Sequence, residues 1–243
     1  MIYHFESLSS TNDEAQGERY GHGDIIVAEH QSAGRGQRGN RWLSGEGLNL
    51  TLSVVLCPKE IEVRRQFLIL QSSALAICDT LREVGLEPKI KWTNDIYIGD
   101  RKIVGILIEN RLSGDMLSRS IVGVGLNVNQ IEFDPELPNP TSMALEMGRQ
   151  FDRVELLSRL SKAFEERMAQ LHSGGEQQIR EDYHSLIYRL GELHPYCLGS
   201  GEVLWGRIVG VESSGELLVE WESGERGGYL FGSIDFMIES RKR

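Results

Sequence analysis

The stretch Lys91–Glu109, KWTNDIYIGDRKIVGILIE, decides the reading of this chain. Ile96-Tyr97-Ile98 and Lys102-Ile103-Val104 are β-rich runs, and Gly99-Asp100 between them suits a two-residue type II′ turn, with glycine at its first central position. Such a turn predicts Ile98 opposite Arg101, Tyr97 opposite Lys102 and Asp95 opposite Val104. Side chains alternate along strands, so Asp95, Tyr97, Lys102 and Val104 are expected on one face, with Asp95 and Lys102 on a diagonal of roughly 7–8 Å. That pair leaves room for an anionic substrate group between its members. An exposed Asp/Lys pair on an ordinary hairpin is the other reading the segment allows. The run Ile103–Ile108 that follows is almost wholly apolar, as for a strand covered on both faces.

At 243 residues the chain can hold a large domain and a small one. Its 36 acidic against 26 basic side chains give a formal net charge of -10, the wrong sign for a protein whose main partner is DNA or RNA. Cys57, Cys78 and Cys197 are odd in number and lack any CxxC, so neither a disulfide framework nor a thiolate zinc site is suggested. Met1–Ser10 carries no secretion pattern, and no segment approaches about 18 uninterrupted apolar residues. A cytoplasmic, reduced setting without a membrane is expected. The histidines, His4, His22, His30, His172, His184 and His194, form no HExxH and are assigned no role.

Along the chain, Thr11 and Glu14 stand at capping-box spacing and predict a short helix toward Arg19 that stops near Gly21-His22-Gly23. Strands are expected at Asp24–Glu29 and Leu48–Leu56, flanking a glycine- and arginine-rich loop, Ala33–Trp42. A buried helix over Ile61–Val84 is ended by Gly85 and Pro88. Arg119–Val128 reads as a further strand, Gln130–Thr141 as a loop, and Arg153–His172 and Glu176–Arg189 as helices. From Leu193 the texture turns to short β-like runs with glycine turns: Gly201–Val211, Glu216–Glu222, Gly227–Phe231 and Ile234–Ile238. Close hairpins in so short a segment predict a small barrel, and Arg241-Lys242-Arg243 a solvated tail. The division is 1–190 for a catalytic domain and 191–243 for the barrel.

Gly34-Arg35-Gly36-Gln37-Arg38-Gly39 is literally a G-x-G-x-x-G after an expected strand. A dinucleotide fingerprint needs a helix opening at that loop, and here Asn40-Arg41-Trp42-Leu43 leads into another strand instead. What remains is a flexible backbone with Arg35, Arg38 and Arg41 clustered in an acidic chain. That favours a phosphate or carboxylate ligand over a plain surface loop.

In order along the chain, Ser9-Ser10-Thr11-Asn12, the loop Glu29–Gly36, Lys91-Trp92-Thr93-Asn94-Asp95, Asp100–Leu107 and Gly123-Val124-Gly125-Leu126-Asn127-Val128-Asn129 resemble the motifs of the biotin protein ligase family over essentially the full chain. The resemblance implies an α+β fold: a catalytic domain on a mixed β-sheet with helices, related to class II aminoacyl-tRNA synthetases, followed by a small C-terminal SH3-like barrel. It implies synthesis of biotinyl-5′-AMP from biotin and ATP with Mg2+, then transfer of biotin to a lysine of a biotin carboxyl carrier domain of a carboxylase. Lys102 would bridge the biotin carboxylate and the α-phosphate, where charge is largest at the transition state. Arg35, Arg38 and the amides of Gly34 and Gln37 would close over the adenylate and exclude water. Ser10, Thr11 and Gln31 suit the ureido ring. Gly123 and Gly125 would let backbone approach the ligand, and Trp42, Asn94 and Asn127 would serve the nucleotide, the tryptophan by packing on adenine. Asp95 has three open roles: orienting Lys102, binding magnesium, or helping remove a proton from the acceptor lysine. No metal ligand set is assigned.

The chain departs from the family's fuller loop pattern at Gln37 and Asn40, where many members carry arginine, so Arg35 and Arg38 are expected to carry most of the anion binding. With the motifs beginning at Ser9, no N-terminal winged helix and no DNA partner are expected. A lipoate or octanoyl transferase and a non-catalytic biotin sensor are the alternatives. The first lacks its usual arginine and glycine triplet here, and the second is opposed by Asn94, Asp95 and Lys102 together. A homodimer is left open, since an edge strand can serve either dimerisation or carrier docking.

Overall fold

The hairpin at Gly99-Asp100 forms, with one change of register. In the computed structural model, which describes residues 1–238, Gly99 has φ +56° and Asp100 has no positive φ, as a type II′ turn requires. Ile98 faces Arg101 and Tyr97 faces Lys102, but a bulge then intervenes: Ile96 pairs with Val104, and Asp95 lies opposite Gly105. The expected Asp95–Val104 pairing is therefore corrected. Beyond the end of the neighbouring strand, the Lys102 N–H donates to the Asn139 carbonyl (2.8 Å) and the Lys102 carbonyl accepts from Thr141 N–H (2.9 Å), which holds the bulged backbone in place. On a regular strand Lys102 and Gly105 would point to opposite faces; the extra residue turns both to the same one. A Cβ built on Gly105 lies 3.4 Å from Lys102 Cε.

This hairpin belongs to a seven-stranded sheet built from β1 (Ile2–Leu8), β2 (Ile25–Gln31), β3 (Leu50–Leu56), β4 (Pro88–Lys91), β5 (Asp95–Ile98), β6 (Arg101–Ser113) and β7 (Met116–Leu126) in the order β1-β2-β3-β7-β6-β5-β4. β1 and β2 run parallel and every other pair antiparallel, so the sheet is mixed. β1 and β4 are its edges, and neither was expected.

Helices pack on the sheet. α1 (Thr11–Ala15) is shorter than its capping signal suggested, its last turn closing with Gly17 N–H on the Glu14 carbonyl. α2 (Phe67–Glu83) buries thirteen of its residues, and a single 3-10 turn, Val63–Arg65, occupies the first part of the span expected for it. After a short α3 (Met143–Met147), α4 (Arg153–His172) starts at the Asp152 carboxylate, which accepts from Val154 N–H at 2.8 Å. α5 (Glu176–Ser185) ends four residues before the expected Arg189. No helix among the described residues is long and apolar enough to cross a membrane.

The last strands, β8 (Leu193–Leu198), β9 (Val203–Val211), β10 (Leu217–Trp221), β11 (Arg226–Tyr229) and β12 (Ile234–Phe236), form a separate antiparallel sheet in the order β11-β10-β9-β8-β12. Among the described residues no ladder joins β11 to β12, so in hydrogen-bonding terms the sheet is open rather than closed into a barrel. Its Tyr196, Ile208, Leu217 and Val219 belong to the same hydrophobic cluster as α2 and the large sheet. The expected tail Arg241-Lys242-Arg243 lies outside the described residues.

Candidate active site

Glycines at three facing positions make a floor. Gly105 on β6 pairs with Gly125 on β7, and Leu107 pairs with Gly123. A Cβ on Gly125 would stand 2.2 Å from Trp42 Cε2, on Gly105 2.9 Å from Trp42 Cζ3, and on Gly123 2.3 Å from Asn12 Oδ1. The missing side chains are what admit Trp42 and Asn12 to the sheet face. Above this floor lies a cleft lined by Ser10, Thr11, Asn12, Gln31, Arg35, Gly36, Gln37, Trp42, Asn94, Lys102, Gly105, Gly123 and Gly125, with Leu52, Ile106, Leu107 and Val124 as its apolar wall.

One end of the cleft is polar and buried. Gln31 Oε1 accepts from both Thr11 N–H (2.7 Å) and Thr11 Oγ1 (3.1 Å). The Ser53 hydroxyl lies 2.6 Å from Asn12 Oδ1 and 2.8 Å from Thr11 Oγ1. Ser10, Thr11 and Asn12 are all nearly inaccessible to solvent. Preorganised hydroxyl and amide groups next to an apolar wall suit a small, mostly apolar ligand with a few hydrogen-bonding atoms.

Lys102 enters from the other end. Its Nζ lies 2.7 Å from Asp95 Oδ1 and 5.8 Å from the centre of the Trp42 ring. Asn94, buried, donates through Nδ2 to the Ile106 carbonyl at 2.6 Å and so ties the Lys91–Asp95 segment to β6. Lys91 packs between the rings of Tyr97 and Phe236, and burial pulls its ammonium below the usual lysine range. An ammonium with one carboxylate partner and a free approach from the cleft can neutralise an incoming anion.

The loop between β2 and β3 is a miniature hairpin. Trp42 N–H donates to the Gly34 carbonyl (3.0 Å), Arg35 bridges Arg41, and Gly36 N–H donates to the Asn40 carbonyl (2.7 Å). Arg35 is tethered at the cleft mouth to Asp13 (2.6 Å) and Glu109 (2.8 Å). Arg38, at the hairpin tip, does not line the cleft: its guanidinium donates to the Phe231 carbonyl and covers that residue's ring. The resemblance implied a place beside Arg35 at the adenylate; here the side chain is turned to residue 231. Gln37 lines the cleft in its stead and has a buried Oε1 without a hydrogen-bond partner.

The sequence pattern of the Biotin/lipoate A/B protein ligase family matches residues 4–127, a span that contains the glycine floor, Lys102 and the loop. The chain belongs to this family. It is 30% identical over 230 residues to the "Bifunctional ligase/repressor BirA" of Bacillus subtilis, covering 92% of this chain and 70% of that protein. It is 31% identical over 208 residues to the "Biotin--[acetyl-CoA-carboxylase] ligase" of Paracoccus denitrificans, covering 83% and 85% of the two chains. Among solved structures, the biotin protein ligase from Aquifex aeolicus in complex with biotin and ATP superposes with a TM-score of 0.81 at 29% identity, over 98% of this chain and 99% of that one.

Within the family frame, most residues expected at the site converge on one cleft: Ser10, Thr11, Gln31, Arg35, Gln37, Trp42, Asn94, Lys102, Gly123 and Gly125. Gly34 lies at the hairpin base, and Asp95 stands behind Lys102. Asn127 is buried at the end of β7, donating through Nδ2 to the Thr141 carbonyl at 2.9 Å, so it clamps the segment that holds Lys102 instead of facing the cleft. Asn12, Ser53, Gly105 and Glu109 were missed. Gly105 had a signal, a glycine interrupting an apolar strand; Ser53 and Glu109 had none, since only the sheet order brings them near α1. No group of three or more His, Cys, Asp or Glu among the described residues is arranged to hold a metal ion.

Proposed function

We propose that this chain is a biotin protein ligase: it activates biotin with MgATP to biotinyl-5′-AMP and transfers biotin to a lysine of a biotin carboxyl carrier domain, such as that of acetyl-CoA carboxylase. The observation that carries the reading is Lys102 at one end of a glycine-floored cleft whose other end, Thr11 and Gln31, is polar and preorganised. The names of the relatives and the biotin and ATP complex of the Aquifex ligase support it.

In this reading the ureido ring sits against Ser10, Thr11 and Gln31, and the bicycle lies on Gly123 and Leu107. The carboxylate then meets Lys102, which offsets the charge of two anions brought together. The 2.7 Å ion pair favours orientation of Lys102 as the role of Asp95. Magnesium would supply charge neutralisation on the phosphates, with Asp95 the nearest carboxylate to Lys102. Arg35 and Gln37 border the adenylate, and Trp42, seated on Gly105 and Gly125, packs on adenine. We further divide the chain into a catalytic domain, 1–190, related to class II synthetases, and a C-terminal domain, 191–243, of SH3-like descent. A cytoplasmic enzyme is part of the same reading, and the free edge of β1 offers a place for a carrier or a second copy.

The test is incubation with biotin, lipoate or octanoate, each with MgATP and a carrier domain, scored by intact mass. Biotinyl transfer is expected; lipoyl but not biotinyl transfer overturns the reading. Lys102→Arg is expected to lower the rate of adenylation by about a hundredfold, because a planar fork replaces a point charge; near-normal pyrophosphate release by that variant counts against the bridging role.

A further inference from the structure

The hairpin of residues 34–42 touches the loop between β11 and β12 through its tip. Arg38 adopts φ +56° and ψ 37°, a backbone conformation that a non-glycine residue enters only when its surroundings demand it. Its Nη2 donates to the Phe231 carbonyl at 2.6 Å, and its guanidinium carbon lies 4.6 Å from the centre of the Phe231 ring. The next residue, Gly232, has φ +81°, and a Cβ there would fall 1.6 Å from Arg38 Nη2, inside the guanidinium. Phe231 in turn meets Trp92 edge to face at 6.1 Å, and Trp92 Nε1 donates to the Gly215 carbonyl at 2.8 Å. The loop tip is thus seated on a prepared place: a ring face, an inward carbonyl and a residue without a side chain.

From these contacts we infer that Phe231 and Gly232 are positioning residues for the ligase reaction, anchoring the hairpin through Arg38 so that Arg35, Gly36 and Gln37 stay over the cleft. The inference rests on the proposed ligase activity for its ligand. Arg38 acts on the loop between β11 and β12 rather than on the bound anion. The arrangement explains how an arginine can matter to adenylate retention while pointing away from it: a lid fastened at its tip opens more rarely than one fastened only at its base. A planar guanidinium that both stacks on a ring and donates to a carbonyl is a better fastener than an ammonium.

Two readouts test this. The first needs no activity: ligand-free protein is treated with trypsin, and cleavage after Arg35 and Arg41 is followed by mass. Phe231→Ala, which loses the ring but keeps the carbonyl, is expected to speed cleavage by about fivefold, and Gly232→Ala, whose Cβ displaces the guanidinium from ring and carbonyl alike, by about tenfold, while Phe231→Tyr, which keeps the ring, behaves as wild type. The second is biotinyl-5′-AMP escaping into solution per adenylate formed, which should rise in Phe231→Ala and Arg38→Ala. The double variant should leak no more than Arg38→Ala alone, since Phe231→Ala removes only the ring face of a contact that Arg38→Ala removes whole. Phe231 is half-exposed, so its truncation serves even where Gly232→Ala disturbs folding. Wild-type cleavage rates in Phe231→Ala, or additive leakage in the double variant, overturn the inference. Failure of wild type to form any adenylate from biotin would instead sink the ligase reading, and the trypsin arm would still decide the anchor.

Discussion

Trp42 and its two glycines show how much a single residue can govern here. Three atoms of the indole lie within 2.6 Å of where a Gly125 Cβ would be, so Gly125→Ala must lift the ring from the sheet. Adenylation kcat/KM should then fall by about tenfold or more, most of it as a raised KM for ATP if the ring is the nucleotide's platform; unchanged steady-state pyrophosphate release would exclude that role. Lys91 makes a different point. Burial, with Lys102 and Arg189 nearby, pulls its ammonium below 10.5, while Asp95 and Asp235 pull the other way. A lysine with a depressed folded value binds fewer protons folded than unfolded, so the chain gains stability as pH rises from that folded value toward 10.5. Lys91→Met should be about 1 kcal/mol more stable at neutral pH, the gap closing across that alkaline window in thermal melts. Lys102 was legible in the sequence because its turn was local. The bulge that aims it was not, since it depends on Asn139 and Thr141 holding the backbone from a distant loop.

Elements with strong local punctuation were read well, and those defined by their neighbours were not. α4 begins at its Asp152 cap and ends at His172 before Ser173-Gly174-Gly175, the bounds its sequence announces. β1 carries no turn signal and exists because β2 offers it a parallel edge; β8 contains Pro195, which argues against a strand until β9 is beside it. The cleft followed the same division, its motif residues visible and its Ser53 and Glu109 contributions hidden in strand order. Between helices, Arg167 on α4 joins Asp79 on α2 (2.6 Å) and Asp182 on α5 (2.6 Å). Burial alone would raise the Asp182 carboxyl, but hydrogen bonds from Arg167 and Gln178 outweigh it and hold it below the usual carboxylate range. Arg167→Met should cost about 2 kcal/mol by urea unfolding at neutral pH. A carboxyl depressed in the folded state gives stability above its unfolded value of about 3.9 and loses it as pH falls toward the folded one, so wild type and variant should converge in acid.

Across the whole molecule, the two sheets are separate in hydrogen bonding but not in packing. Ile208 and Leu217 are fully buried in the cluster that also holds Leu75 and Ile90, and Gly191 N–H donates to the Ile208 carbonyl at 2.8 Å. A chain ending at residue 190 would expose that shared core, so it should be insoluble or molten, and the intact protein should unfold in a single calorimetric transition; two separable transitions would argue for independent units. Trp42 brings a last consequence. Of the four tryptophans, Trp92 and Trp221 are buried and Trp205 stands on the C-terminal sheet, whereas Trp42 borders the cleft 5.8 Å from the Lys102 ammonium. A ligand group that reaches Gly105 or Gly125 must displace or cover that indole, whereas one on Gly123 meets Asn12, so the protein carries an optical gauge of the Lys102 end of its cleft, and arrival there can be followed from intrinsic emission in a stopped-flow cell without a label.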